Sequence, residues 1–383
     1  MPNISASAPP SWIVDPNSMT RQAHHNSLKD LWQLKWRNCC IHQIYPFMEA
    51  KLEDFEPAIT QMIERGFKEP YNLDAWASAL MPTGDMLQQQ AAKAASKAEA
   101  RDLYLRAAAV YRIARFPLNC TPMTETAWGL NKEAYSKAMA LFEIPETEVA
   151  IPFKHGIDSE KGTEILAYLR VPPGASAEKP APLLLHICGL DDYRTDQLFR
   201  TEVHVRQGYA TLIVELPGTG DCPAIANDPL STDRMWDSVF DWVDGRADID
   251  SSKMYARGIS TGGYYAVRIA YTHKDRLQAV VAQGAGAHYC FYPEWIDNID
   301  NDIESYKKDS LDRFSLLKAG IFSGPSCRLM IINGAEDDAF PIEDSILPAL
   351  YGDVKELLLV PGSGHMGRPK SEPIINKWFQ QFV

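Results

Sequence analysis

The chain has no C-x-x-C pair, no cluster of lysine and arginine, and no run of 18 consecutive apolar residues. Its seven cysteines, Cys39, Cys40, Cys120, Cys188, Cys222, Cys290 and Cys327, are odd in number and scattered through 383 residues. That argues against a disulfide scaffold and reads as reduced, intracellular thiols. A net charge of -12 with no basic patch repels phosphate backbones and anionic lipid, so neither nucleic acid nor a membrane is an expected partner. The first sixteen residues, MPNISASAPPSWIVDP, carry no basic n-region and no long apolar stretch, and a cytoplasmic location is expected. Internal repeats and low-complexity linkers are also absent.

What is present is an ordinary globular composition, 45% hydrophobic and 23% charged. The length exceeds the roughly 250 to 300 residues at which a single core divides, so two domains are expected. From Ser27 to Phe142 the apolar spacing is helical: Leu28, Leu31, Trp32, Trp36 and Cys39 fall at steps of three and four, as do Ile59, Met62, Ile63 and Phe67. A third helix is expected from Leu87 to Arg115, stopped by Pro117, and a fourth from Asn131 to Phe142.

After Glu146 the period changes. Eight short β-branched or leucine-rich runs follow, at Glu148–Lys154, Ile165–Val171, Leu183–Ile187, Thr211–Leu216, Met254–Ile259, Gln278–Gln283, Arg328–Asn333 and Glu356–Val360. Helical stretches such as Met235–Val243 and Tyr264–Tyr271 lie between them. Continuous apolar strands alternating with helices indicate an α/β fold whose mostly parallel, eight-stranded sheet is covered on both faces. The expected domains are a helical one over 1–146 and a catalytic one over 147–383, with Pro172–Pro182 a surface loop.

The strand MYARGI runs into Gly258-Ile259-Ser260-Thr261-Gly262 and then into the helical YYAVRIAY. This is G-x-S-x-G between strand and helix, where small flanking residues permit a strained turn that lifts the serine above the sheet edge. A base and an acid are then expected at the ends of later strands. CRLMIIN ends in Gly334-Ala335-Glu336-Asp337-Asp338, and ELLLV ends in Pro361-Gly362-Ser363-Gly364-His365. His365 suits the base. Asp337, three after Gly334 and four before Pro341, is the chosen acid, with Glu336 and Asp338 as runners-up. Thr261 N–H is expected to supply one half of an oxyanion hole and Leu190 N–H, or that of Gly189, the other. His186, Asp191 and Asp192 fit no common metal spacing, and the two aspartates read as caps of the next helix. Gly218-Thr219-Gly220-Asp221 reads as a turn and Cys188 as a buried structural thiol. No metal or cofactor is expected.

Tyr45-Pro46-Phe47, AAVYRIARFP (Ala108–Pro117), CGLD (Cys188–Asp191), STGGYYAVRIAYTH (Ser260–His273), EWIDN (Glu294–Asn298) and GAEDDAFPIED (Gly334–Asp344) resemble one branch of the α/β-hydrolase superfamily. That branch holds the fungal yellowish-green heptaketide hydrolases of pigment synthesis and bacterial 2,6-dihydroxypseudooxynicotine hydrolase. The resemblance implies an α/β-hydrolase fold with a helical lid, a homodimer, and hydrolysis of a carbon-carbon bond beside a ketone in a polyketide or aromatic ketone. It also carries the triad onto Ser260, Asp337 and His365. The lipase HGGG loop is absent. Pocket candidates are Tyr264, His288, Tyr289, Glu294 and Trp295, for which plain core packing is the alternative. Esterase, thioesterase or lactone-forming chemistry on the same triad is the rival reading. A non-catalytic binding protein is a rival of another class.

Overall fold

The computed structural model describes Ile13 and residues 27–67, 72–299, 309–353 and 355–383. The chain divides into a helical unit, Ala23–Thr147 with Asp191–Leu198, and a unit made chiefly of Glu148–Leu190 and Phe199–Val383.

In the helical unit α1 (Leu28–Leu31) passes through a π-helical stretch, Trp32–Trp36, into α2 (Arg37–Ile41). Trp32 and Trp36 are both buried and meet Phe47 edge-on, at 6.2 and 5.5 Å between ring centroids. Then come α3 (Leu52–Glu64), α4 (Leu73–Ala91), α5 (Lys97–Arg115) and α6 (Pro122–Met139). Two expectations are corrected here. The single helix from Leu87 to Arg115 is two helices, because the Ser96 side chain caps α5 by accepting from Glu99 N–H at 3.1 Å, and Leu87 belongs to α4. The last helix starts at Pro122, where Thr121 caps it and proline fills the first helical position, rather than at Asn131.

The eight residues Asp191–Leu198 join this unit through buried polar contacts. The Asp196 carboxylate accepts from Arg112 Nε at 2.7 Å and from Arg115 Nη2. Thr195 donates to Asn131 at 2.7 Å, and the Arg115 guanidinium lies 3.7 Å over the Tyr193 ring. In the short 3-10 turn Arg194–Asp196, Asp196 makes a capping contact, accepting from Tyr193 N–H at 2.9 Å.

The second unit is built on β1 (Thr147–Pro152), β2 (Glu164–Arg170), β3 (Ala181–Ile187), β4 (Ala210–Val214), β5 (Ile249–Ile259), β6 (Ala279–Gln283), β7 (Arg328–Gly334) and β8 (Glu356–Val360). Their order across the sheet is β1-β2-β4-β3-β5-β6-β7-β8. β2 pairs antiparallel with β4, and every pairing from β4 through β8 is parallel. All eight expected strands are present. Helix α7 (Leu198–Arg206) follows β3 in the chain. Both sheet faces are covered: α8 (Ser231–Asp244) and α9 (Thr261–Thr272) bury Trp236, Phe240 and Ile269 against one. The helix Ser371–Gln380 brings Ile375, Trp378 and Phe379 against Tyr209, Tyr255 and Val281 on the other. Parallel pairing directs the carboxyl ends of β5, β6, β7 and β8 to one edge, where open α/β sheets hold their sites.

Candidate active site

Ser260 sits between β5 and α9 with φ 53° and ψ -122°, a left-handed backbone that a non-glycine residue holds only under constraint. The constraint is visible. Ser260 N–H donates to the Gln283 carbonyl at the end of β6 at 2.8 Å, and the Ser260 carbonyl accepts from Gly263 N–H at 2.7 Å. A Cβ on Gly262 would lie 2.1 Å from the Cys188 carbonyl oxygen, so only glycine lets the loop after β3 reach the turn.

The same device closes the other side. A Cβ on Gly334, the last residue of β7, would lie 1.9 Å from the Gly364 carbonyl oxygen. The acid loop and the histidine loop therefore run against each other, tied also by Glu336 N–H to Ser363 C=O at 3.0 Å. His365 Nε2 lies 2.9 Å from Ser260 Oγ, and His365 Nδ1 lies 2.8 and 3.0 Å from the two Asp337 oxygens. The structure thus brings together the three residues expected from the sequence. Among the three consecutive carboxylates Asp337 turns inward, its side chain shielded from solvent, while Glu336 and Asp338 are less enclosed.

Each Asp337 oxygen has further donors. Ala339 and Phe340 N–H reach Oδ1 at 2.8 and 3.1 Å, and Asn333 Nδ2 reaches Oδ2 at 2.7 Å. His365 is flanked edge-on by Phe340, with centroids 5.4 Å apart. The next residue, Met366, is also left-handed, at φ 67°. Its N–H donates to Asn333 Oδ1 at 2.9 Å, and its carbonyl accepts from Gln283 Nε2 at 3.1 Å and Ser371 Oγ at 2.8 Å. Gln283 is therefore joined to both partners, by its backbone to Ser260 and by its side chain to the histidine loop. Gln283 also accepts from Arg257, which pairs with Glu372 at 2.7 Å. Burial pushes the Glu372 carboxyl up, but Arg257 and Arg200 outweigh it and bring it down to about 2.

Thr261 opens α9 directly after the serine, so its N–H stands at the helix N-terminus, where developing negative charge is favoured. The loop after β3 abuts the turn at Cys188, which is buried, and leaves Leu190 partly open to solvent and Gly189 buried. Residues 218–221 form the expected turn, with Thr219 N–H bonded to Leu216 C=O at 3.0 Å.

Of the pocket candidates, Tyr264, His288, Tyr289 and Trp295 are buried and Glu294 is exposed. The side chains of Asp297 and Asn298, which complete the EWIDN segment, lie outside the described residues. Tyr264 donates to the Phe314 carbonyl at 2.9 Å, and Trp295 Nε1 donates to the Ala339 carbonyl at 3.1 Å, bracing the acid loop. His288 Nδ1 lies 2.6 Å from Ser315 Oγ, and burial brings the imidazole down to about 4. The loop carrying these residues is fixed by Asp344, whose buried carboxylate accepts from the N–H groups of His288, Tyr289 and Cys290 at 2.7, 2.7 and 2.8 Å. Sequence reasoning did not single out Asn333, Gln283 or Asp344.

Residues 66–361 match the FrsA-like esterase family. Esterase FrsA of Photorhabdus laumondii subsp. laumondii is 26% identical over 317 residues, covering 76% of this chain and 72% of that protein. The FrsA esterase of Yersinia pestis is also 26% identical, over 314 residues, with the same coverage. Among solved structures, 2,6-dihydroxy-pseudo-oxynicotine hydrolase superposes with a TM-score of 0.64 at 20% identity, over 80% of this chain and 88% of that one. AbyA5 superposes with a TM-score of 0.59 at 20% identity, over 79% and 86%. The architecture is that of the α/β-hydrolases, and these curated relatives are bacterial esterases rather than fungal pigment hydrolases.

Proposed function

The chain belongs to the FrsA-like esterase family of hydrolases, and from that premise we propose that it cleaves acyl bonds through Ser260, His365 and Asp337. The observation that carries this is the continuous chain of contacts from Ser260 Oγ through His365 to Asp337, at 2.9 and 2.8 Å. His365 takes the serine proton as Oγ attacks the carbonyl carbon, and Asp337 holds the imidazole in the tautomer that can accept it. Thr261 N–H and an N–H of the loop after β3, at Leu190 or Gly189, bind the oxyanion. Collapse expels the alcohol, which takes the proton back from His365, and water then repeats the sequence to free the acid. No cofactor enters these steps.

The finer reading keeps the same residues and changes the leaving group to carbon. STGGYYA and EWIDN, which resemble the fungal pigment branch, favour an acylated polyhydroxyaromatic ketone. There the tetrahedral intermediate expels an enolate or phenolate carbon that His365 protonates. Tyr264, His288, Tyr289, Glu294 and Trp295 are the residues proposed to shape that pocket.

Wild type and Ser260→Ala incubated with simple p-nitrophenyl esters and with an acylated polyhydroxynaphthalene test both readings. Ser260-dependent ester turnover alone supports the esterase reading. Ser260-dependent release of acid and a shortened aromatic, followed by mass spectrometry, supports carbon-carbon cleavage. Turnover that survives in Ser260→Ala overturns both.

A further inference from the structure

We infer that Asn333 is a positioning residue for the proposed reaction, one carboxamide that sets the Asp337 carboxylate and the His365 loop together. The inference rests on the serine-hydrolase reading above.

Asn333 is fully buried near the end of β7. Its Nδ2 donates to Asp337 Oδ2 at 2.7 Å and to Ser345 Oγ at 3.0 Å, and its Oδ1 accepts from Gly334 N–H at 2.8 Å and Met366 N–H at 2.9 Å. An amide offers two donors and two lone pairs, and all four are used. The nitrogen end holds the acid, and the oxygen end holds the residue after the base in its left-handed conformation. Asp337 and His365 lie 28 residues apart in sequence, and this one side chain bonds to both loops that carry them. Asn333 touches none of the reacting atoms, so it acts through the other two residues.

A merely structural role predicts that any loss of activity at this position follows the folded fraction measured at the same pH, leaving activity per folded molecule unchanged. The positioning role predicts something different for Asn333→Asp. That variant keeps the oxygen that accepts from Met366 and Gly334, but replaces the N–H facing Asp337 by a second carboxylate oxygen. Two carboxylates at such a distance cannot both ionise, so the pair retains one shared proton over a range of pH. While the proton is present, the introduced carboxyl donates to Asp337 as the amide did. Once it is lost, repulsion drives Asp337 away from His365.

The other charged groups on the surrounding elements are already in place in the wild type. They are Glu336 and Asp338 in the acid loop, Arg368 after the histidine, Glu343 and Asp344 on the helix Ile342–Ile346, and Glu372 with Arg257 beside Gln283. Arg268 on α9 pairs with Asp233, and Glu356 on β8 pairs with Arg328. The wild-type profile is therefore the control for all of them.

The experiment measures kcat and KM for p-nitrophenyl acetate from about pH 6 to about pH 9.5 on wild type, Asn333→Asp, Asn333→Ala and Ser260→Ala, with a melting curve at each pH. We expect Asn333→Ala to lose roughly 100-fold in kcat at every pH, with KM little changed. Asn333→Asp should stay within about tenfold of wild type at the acid end and fall at least about tenfold further towards the alkaline end, while remaining folded throughout. An Asn333→Asp profile parallel to that of wild type overturns the inference, as does wild-type kcat in Asn333→Ala. Should Asn333→Ala fail to fold, the ratio of Asn333→Asp to wild type across the pH range decides alone. Turnover retained by Ser260→Ala is a separate result, because it overturns the serine-hydrolase reading itself.

Discussion

Asp196 in the helical unit and Asp337 in the sheet unit are both buried carboxylates, yet the first lies between two arginines and the second meets only neutral N–H donors and His365. For Asp196, burial pushes the carboxyl up, and Arg115 and Arg112 more than reverse it. A guanidinium never gives up its charge, so that carboxylate is cancelled permanently and serves as a lock. Neutral donors orient Asp337 without cancelling it, which leaves its charge for an imidazolium forming on His365. Of these two carboxylates, the one that only holds is paired ionically and the one that has to work is held by neutral hydrogen bonds.

The comparison can be broken most sharply at Asp337. Replacing it by asparagine should lower kcat by about 10³ to 10⁴ because the tautomer is lost, with a loss of only about 1 to 2 kcal/mol in stability, because the shape is kept while one acceptor becomes a donor facing Asn333. A large fall in melting temperature with little change in kcat per folded molecule would reverse the two roles. Asp196→Ala should do the opposite. It takes the Asp196 carboxylate from the buried Arg115 guanidinium and leaves Arg112 with Glu49 alone, and urea unfolding should show a loss of about 3 to 5 kcal/mol. A loss below about 1 kcal/mol would mean that the arginines are not locking anything.

Acid should sharpen the contrast further, through buried groups that hold no countercharge. Burial lowers His204 to about 3 and His288 to about 4. Below about pH 6.5 the unfolded chain takes up protons that these folded imidazoles refuse, so stability falls with pH by up to about 1.4 kcal/mol per unit for each. The loss continues until pH reaches the folded values. Urea midpoints across that range should decline, and should decline less in His204→Phe.

The smallest expected effect is at Asp344, a third buried carboxylate, held by backbone N–H groups. Asp344→Asn turns one acceptor into a donor facing Cys290 N–H and should cost about 1 to 2 kcal/mol. Burial raises the Asp344 carboxyl to about 6 despite its three donors. The folded state therefore binds a proton more readily than the unfolded one between about pH 4 and that value, and this contribution to stability weakens as pH rises through the window. The asparagine variant should lack that slope.

Much of this is legible in the sequence alone. Strands buried on both faces appear as uninterrupted apolar runs, which is why all eight stand out, and the serine turn announces itself by glycines that no side chain could replace. The break between α4 and α5 is legible too but hidden: Ser96 and Glu99 have capping-box spacing, and Glu99 accepts from Ala95 N–H while its own N–H reaches Ser96. The alanine-rich run around them masks it. Other features have no local signature. Glu336, Asp337 and Asp338 are equivalent as neighbours in sequence, and only the approach of His365 distinguishes the middle one. Asn333 reads as an ordinary strand-end residue until Met366 arrives from 33 positions away, and Gln283 until the same residue arrives from 83 away. Burial of Tyr264, His288, Tyr289 and Trp295 is foreseeable from their chemistry; the particular carbonyls and hydroxyls they meet are not.

The eight residues Asp191–Leu198, lodged among the helices although they follow β3, bear on inheritance. A helical unit assembled from two separate stretches of chain is not a cassette with one junction. Recombination at the boundary before β1 would deliver a new leader while the old insert, with Asp196 in it, lost Arg112 and Arg115. Leader and insert should therefore change in concert among relatives, and chimaeras should exchange both or neither.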